Sequence, residues 1–204
     1  MNTSEQATLP GEKLTVAGSD CTLEVAVTYP LPDVLRLRYR VHNISALPLY
    51  LCNQLYKTIT RDRATGELIY GVLSNLANVR LEAEHVVVGK TVVDVPEWMF
   101  VESHQIPCLS RLLPGEEWEE TFDLALPLMP YTVYDYSPLT GKPVARKLLF
   151  ELGYFLASPH TESFITSVRT PFGSAFYIDA FPASEQSLLV AGPLTEPVFV
   201  VSEA

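Results

Sequence analysis

The chain has 204 residues, 48% of them apolar and 19% charged, so it can bury a core and is not a disordered polymer. Sixteen prolines and ten glycines, scattered without a period, exclude a collagen-like repeat and argue against a helical bundle. Fourteen Lys and Arg against 24 Asp and Glu leave a net charge of −10, a field that repels phosphate backbones and sets nucleic acid aside as a partner.

Met1 to Lys13 is polar and reads as a flexible tail, followed by a single domain over 14–204. The first residues lack the basic start and apolar run of a secretory signal, and no run of 18 apolar residues offers a membrane span. Cys21, Cys52 and Cys108, an odd set separated by 31 and 56 positions, make a poor disulfide framework. Reduced thiols and a cytoplasmic location are therefore expected, with no membrane partner.

Strand signals begin at Leu23, with large apolar residues at alternate positions to Tyr29 and a turn at Pro30-Leu31-Pro32-Asp33. The cleanest run is Val34 to Asn43. Leu35, Leu37, Tyr39 and Val41 take one side and Arg36, Arg38, Arg40 and His42 the other, a period of two that a helix would scramble. Leu47 to Leu51 is a short apolar piece. Gln54 to Arg61 and Leu68 to Tyr70 flank Asp62-Arg63-Ala64-Thr65-Gly66 and predict a hairpin. Val79 to Val88 and Thr91 to Val95 flank Gly89-Lys90, which reads as a two-residue turn. Pro114-Gly115 starts another turn, and Glu116 to Leu124 then alternates: Trp118, Phe122 and Leu124 against Glu117, Glu119, Thr121 and Asp123. Glu120 interrupts the apolar side. From Pro127 to Pro143 no period is visible. Lys147 to Ala157 resumes as a strand, and the remainder reads as short strands broken by proline and glycine.

Charge is distributed unevenly. Residues 34–65 carry six basic groups and one acidic group, and residues 111–140 carry one basic and six acidic groups. The two alternating strands are expected to be neighbours, with Arg36, Arg38 and Arg40 facing Glu117, Glu119 and Asp123, because opposite charges across a strand pair favour that register. The competing reading makes the arginine row a docking stripe for an acidic partner.

The search for chemistry finds no Gly-rich phosphate loop, zinc helix, paired Cys-x-x-Cys, nucleophile elbow or calcium loop, so no cofactor or metal is expected. His104 and Cys108 stand four residues apart, the start of a thiolate–imidazole pair, but Pro107 opposes a helical geometry between them. Glu116, Glu117, Glu119 and Glu120 surround Trp118 and read as a solvated strand edge that discourages aggregation. Two aromatic groups are the stronger leads: Trp98 with Phe100, and Met129, Tyr131, Tyr134 and Tyr136 in the Pro-rich connection. That connection is either a binding surface or a plug folded over one end of the core.

The run Leu35 to Asn43 followed by Ile44-Ser45-Ala46-Leu47-Pro48 resembles the strand, Asn, small-residue turn and Pro of immunoglobulin-like β-sandwiches. Gln54 to Asp62 through Gly66 to Tyr70 is similar to a hairpin of bacterial intracellular proteinase-inhibitor domains, and Leu113-Pro114-Gly115-Glu116 looks like a strand entry common to both. The resemblance covers about a third of the chain and implies a fold, with no inhibitory residue carried over.

The expected architecture is therefore all-β: an antiparallel immunoglobulin-like β-sandwich with a long insertion near residues 74–110 and an elaborated C-terminal part. The expected role is a non-enzymatic protein-interaction module whose partner is another protein, with no oligomeric state assigned. The alternatives are a carbohydrate or small-molecule binding module that stacks ligands on Trp98, Phe100 and the tyrosines, and a thiol enzyme using Cys108 and His104.

Overall fold

The computed structural model describes residues 11–102, 104–135 and 140–202. Within them lie the strands β1 (Glu12–Ala17), β2 (Cys21–Leu31), β3 (Val34–Asn43), β4 (Leu49–Gln54), β5 (Tyr56–Arg61), β6 (Leu68–Val72), β7 (Asn78–Leu81) and β8 (His85–Lys90). They continue with β9 (Cys108–Leu112), β10 (Glu117–Ala125), β11 (Pro143–Leu156), β12 (Ile165–Thr170), β13 (Gly173–Ile178), β14 (Ser187–Ala191) and β15 (Val198–Val201). One helical turn, α1 (Pro159–Glu162), and a 3-10 turn at Ala183–Glu185 complete an all-β chain. β1 opens at Glu12, so the last two residues of the expected tail are in a strand.

Four strands form an antiparallel sheet in the order β1-β2-β3-β10, and the rest a mixed sheet running β5-β6-β12-β13-β9-β4-β11-β8-β7. The alternating patterns place the first sheet. Leu23, Val25 and Val27 of β2, Leu35, Leu37, Tyr39 and Val41 of β3 and Phe122 of β10 are buried on one face, in one core with Leu148, Phe150, Leu152 and Tyr154 of β11. The hydrophobic effect, at about 25 cal/mol per Å² removed from water, drives this face-to-face closure.

β11 is the spine of the second sheet. Its 14 residues pair with β15 at Pro143–Arg146, with β8 at Lys147–Leu152, with β14 at Phe150–Tyr154 and with β4 at Tyr154–Leu156. β4 is buried on both faces, which is why Leu49 to Cys52 shows an unbroken apolar run instead of alternation. Leu49 and Leu51 enter the first core, while Tyr50 and Cys52 enter a second one with Tyr56, Tyr70, Leu109, Phe155, Tyr177 and Phe181.

Three expectations need correction. The architecture is not wholly antiparallel: β8 runs parallel to β11, and β6 meets β12 in parallel at Ile69 and Arg169. Parallel partners are joined by long crossovers, so nothing local in the sequence marks them. Residues 74–110 are not an insertion beside the domain, because β7, β8 and β9 are built into the second sheet. Gly89-Lys90 is not a turn. Both residues end β8, and the reversal lies earlier, where Glu82 N–H donates to His85 O at 2.9 Å.

The expected pairing of the two charged runs is found. β3 and β10 are antiparallel neighbours, with Asp123 opposite Arg36, Glu119 opposite Arg40 and Glu117 opposite His42. Arg36 grips Asp123 through Nε and Nη2, both at 2.7 Å. Glu119 Oε2 accepts from Arg38 Nη2 at 2.8 Å and Arg40 Nη2 at 2.9 Å. The arginine row is thus engaged within its own sheet, which counts against the docking stripe.

Hydrogen bonds from Arg38 and Arg40 hold the Glu119 carboxyl at about 2, below its ordinary 4.5. Between those values the unfolded chain binds the proton and the folded chain does not, so this contribution is complete above pH 4.5 and fades as pH falls toward 2. Glu119→Gln should flatten the fall of the urea-unfolding midpoint across that window. A variant with the wild-type slope would show that the ladder does not contribute to acid stability.

A candidate binding site at the end of the first core

β10 carries a carboxylate on its inward side. Glu120 lies directly across from Tyr39 in the β3–β10 register, between the inward Trp118 and Phe122. A charge placed there must be neutralised and hydrogen-bonded or it destabilises the fold by several kcal/mol. The chain supplies both. Lys90 Nζ donates to Glu120 Oε1 at 3.1 Å and to the Ser74 carbonyl at 2.8 Å, and lies 4.6 Å from the Phe122 ring centroid. The Tyr39 hydroxyl donates to Glu120 Oε2. Burial pulls the Lys90 ammonium below its ordinary value against the opposing pull of Glu120. Burial, with Glu120 adding to it, pushes the Tyr39 phenol well up, so it remains a donor.

A second tier orders this pair. The Asn53 amide lies 3.1 Å from the Tyr39 hydroxyl. With its oxygen turned toward the donors, it accepts from Trp118 Nε1 at 3.1 Å and donates to Ser110 Oγ at 2.8 Å. Ser110 Oγ also accepts from Gln54 Nε2 at 2.9 Å. These bonds fix the Trp118 indole and the Gln54 amide at the boundary between core and solvent.

An open pocket of about 200 Å³ lies at that boundary. Trp118 and Glu120 of β10, Gln54 of β4 and Val72 of β6 line one part, and Thr170, Phe172 and Ser174 of the β12–β13 hairpin line the other. The Lys90 side chain is wholly buried behind it, whereas the Glu120 side chain is 16% exposed. Phe172, 71% exposed, sits at the hairpin tip. Its N–H donates to Thr170 Oγ1 at 3.1 Å, Thr170 Oγ1 donates to Gly173 O at 2.9 Å, and Gly173 takes a φ of +116°, which suits a residue without Cβ. The backbone that presents the aromatic ring is therefore held by its own turn.

The residues singled out from the sequence lie elsewhere and are not gathered into one site. Trp98 and Phe100 are 73% and 100% exposed, beside a turn in which Met99 N–H donates to Pro96 O at 2.9 Å. Met129 is exposed, and Tyr131 is half-buried, exchanging backbone hydrogen bonds of 2.7 and 2.9 Å with Val79 and lying under Lys57 Nζ. Tyr134 is buried, its hydroxyl accepting from Gln105 N–H at 2.9 Å. Tyr136 lies outside the described residues. Leu128 is buried in the first core, bonded to the Phe199 carbonyl and the Val201 N–H of β15 at 2.8 Å. The described part of the Pro-rich connection thus bonds to β7 and β15. Cys108 is fully buried, its thiol pushed up to about 12 by burial, while His104 is exposed, so no thiolate–imidazole pair forms.

Of the four glutamates around Trp118, Glu117 and Glu119 face solvent, Glu116 closes the preceding turn by accepting from Leu113 N–H at 2.8 Å, and only Glu120 turns inward. The expectation of a uniformly solvated edge fails at that residue. The signal was its break in the alternation of β10. Gln54, Val72, Thr170 and Phe172 carried no such signal, because they converge from three separate segments.

No protein-family model, no curated protein and no solved structure matches this chain.

Glu120→Leu strands the enclosed Lys90 charge and should cost about 3–5 kcal/mol in urea unfolding. Lys90→Met should cost less, since Glu120 retains access to water through the pocket. The double variant should be more stable than the sum of the two losses implies. Additive losses would show that the two groups do not act as a pair.

Proposed function

We propose that this chain is a non-enzymatic binding module, immunoglobulin-like in its four-stranded sheet, whose site is the pocket between Trp118 and Phe172. The observation that carries this reading is the Lys90–Glu120 pair beneath an open pocket. A buried ion pair contributes little or nothing to stability compared with apolar side chains of the same volume, so its placement under a solvent-facing cavity supports a role in recognition. The three buried thiols and the net charge of −10 accord with a cytoplasmic protein that does not bind nucleic acid. Among the described residues no helix is long and apolar enough to cross a membrane. A fragment screen by protein NMR tests the site: hits should move the Trp118 indole N–H resonance in the wild type and lose that effect in Phe172→Ala. Hits that map only to other surfaces, or none at all, would reject the pocket as the site.

A second reading, in which the partner is another protein, is favoured by Trp98 and Phe100, two large rings in solvent on a segment without strand structure. A partner recovered under native conditions and then purified should bind the Trp98→Ser/Phe100→Ser variant at least about tenfold more weakly. Equal affinity for wild type and variant would remove this surface from consideration.

A further inference from the structure

We infer that the pocket takes one neutral sugar ring, a monosaccharide or the terminal unit of a glycan; this rests on the pocket being the binding site. Three features of the lining select that class. The first is size: about 200 Å³ lies below the ~300–1,000 Å³ of sites for drug-sized ligands and suits a single ring.

The second is charge. Glu120 meets Lys90 Nζ at 3.1 Å, so the floor is dipolar with no net charge. A cationic ligand would share Glu120 with an ammonium already in place, and an anionic ligand would approach a carboxylate. A hydroxyl meets neither obstacle. A carboxylate has about four acceptor sites, and Lys90 and Tyr39 each occupy one, so capacity remains for donors from a ligand.

The third is the alternation of polar and apolar lining. Ser74 and Ser174 bring hydroxyls that accept as well as donate, Thr170 Oγ1 keeps one acceptor site beyond its turn bonds, and Gln54, its N–H bonded to Ser110, offers its amide oxygen. Trp118, Phe172 and Val72 supply apolar surface. A sugar ring has the matching composition, with hydroxyls at its rim and C–H groups on its faces, and aromatic side chains cover such faces with little loss of conformational freedom. The Trp118 ring is already held by its N–H bond to Asn53, and the backbone that carries Phe172 is held by its turn, so binding has less to order.

The sequence has two tryptophans, so Trp98→Phe leaves Trp118 as the sole indole reporter. This variant would be titrated with glucose, galactose, mannose and N-acetylglucosamine, and in parallel with choline and inorganic phosphate, while Trp118 fluorescence is read. At least one sugar should shift the emission with a Kd of about 1–10 mM, and adding Phe172→Ala should weaken it about tenfold while the urea-unfolding midpoint stays unchanged. Saturation by choline or phosphate with no response to sugars would overturn the sugar assignment and leave the pocket as a site for another ligand. No response to any compound, or a sugar response indifferent to Phe172→Ala, would overturn the assignment and count against the pocket as well.

Discussion

A carboxylate on the core side of a β-strand is the constraint around which one end of this molecule is organised. Glu120 occupies a position that the alternation of β10 reserves for an apolar residue, with its side chain 16% exposed where it lines the pocket. Its charge requires a cation, which accounts for a wholly buried lysine at the end of β8. Its second oxygen requires a donor, which Tyr39 provides from the directly opposite position of β3. The Trp118 indole N–H, carried in beside Glu120, then requires Asn53, and Asn53 requires Ser110. Each link satisfies a polar atom that the previous one carried into the core, as buried networks must.

The same sheet separates two electrostatic regimes by a single residue step. Glu119 and Glu120 are adjacent on β10 and project to opposite faces. On the outer face Glu119 is bound by two arginines in high dielectric, where an ion pair sets register more than stability. On the inner face Glu120 meets one ammonium in a low dielectric, where an unpaired charge is expensive. The pocket opens where the inner regime reaches solvent, and the Glu120 and Trp118 groups that line it are oriented by the fold.

The second sheet supplies the other wall. β11 collects β4, β8, β14 and β15, and burying β4 on both faces joins the two cores. Beyond that junction the β12–β13 hairpin brings Phe172 back toward β10. The distance in sequence between Trp118 and Phe172 spans the whole of β11, which is why the two rings were not recognisable as partners. Trp98, Phe100 and Met129 are large apolar side chains in irregular segments, the local signature of a binding surface. The fold leaves those three in solvent, while Tyr134 serves the interior.

What the sequence alone determined is local. Period-two patterns assigned the faces of β2, β3 and β10, turn chemistry at Asp62 to Gly66 and at Pro114-Gly115 bounded strands, and complementary charges paired β3 with β10. Each of these depends on neighbours within a few residues or on a charge match between two runs. Tertiary structure alone decided the parallel union of β8 with β11, the incorporation of residues 74–110, the burial of Lys90 and the convergence on the pocket. The physical reason is that parallel pairing and a buried ion pair are settled by what lies across the core. A residue such as Lys90 next to a glycine has the same local signature whether it ends in a turn or under a sheet.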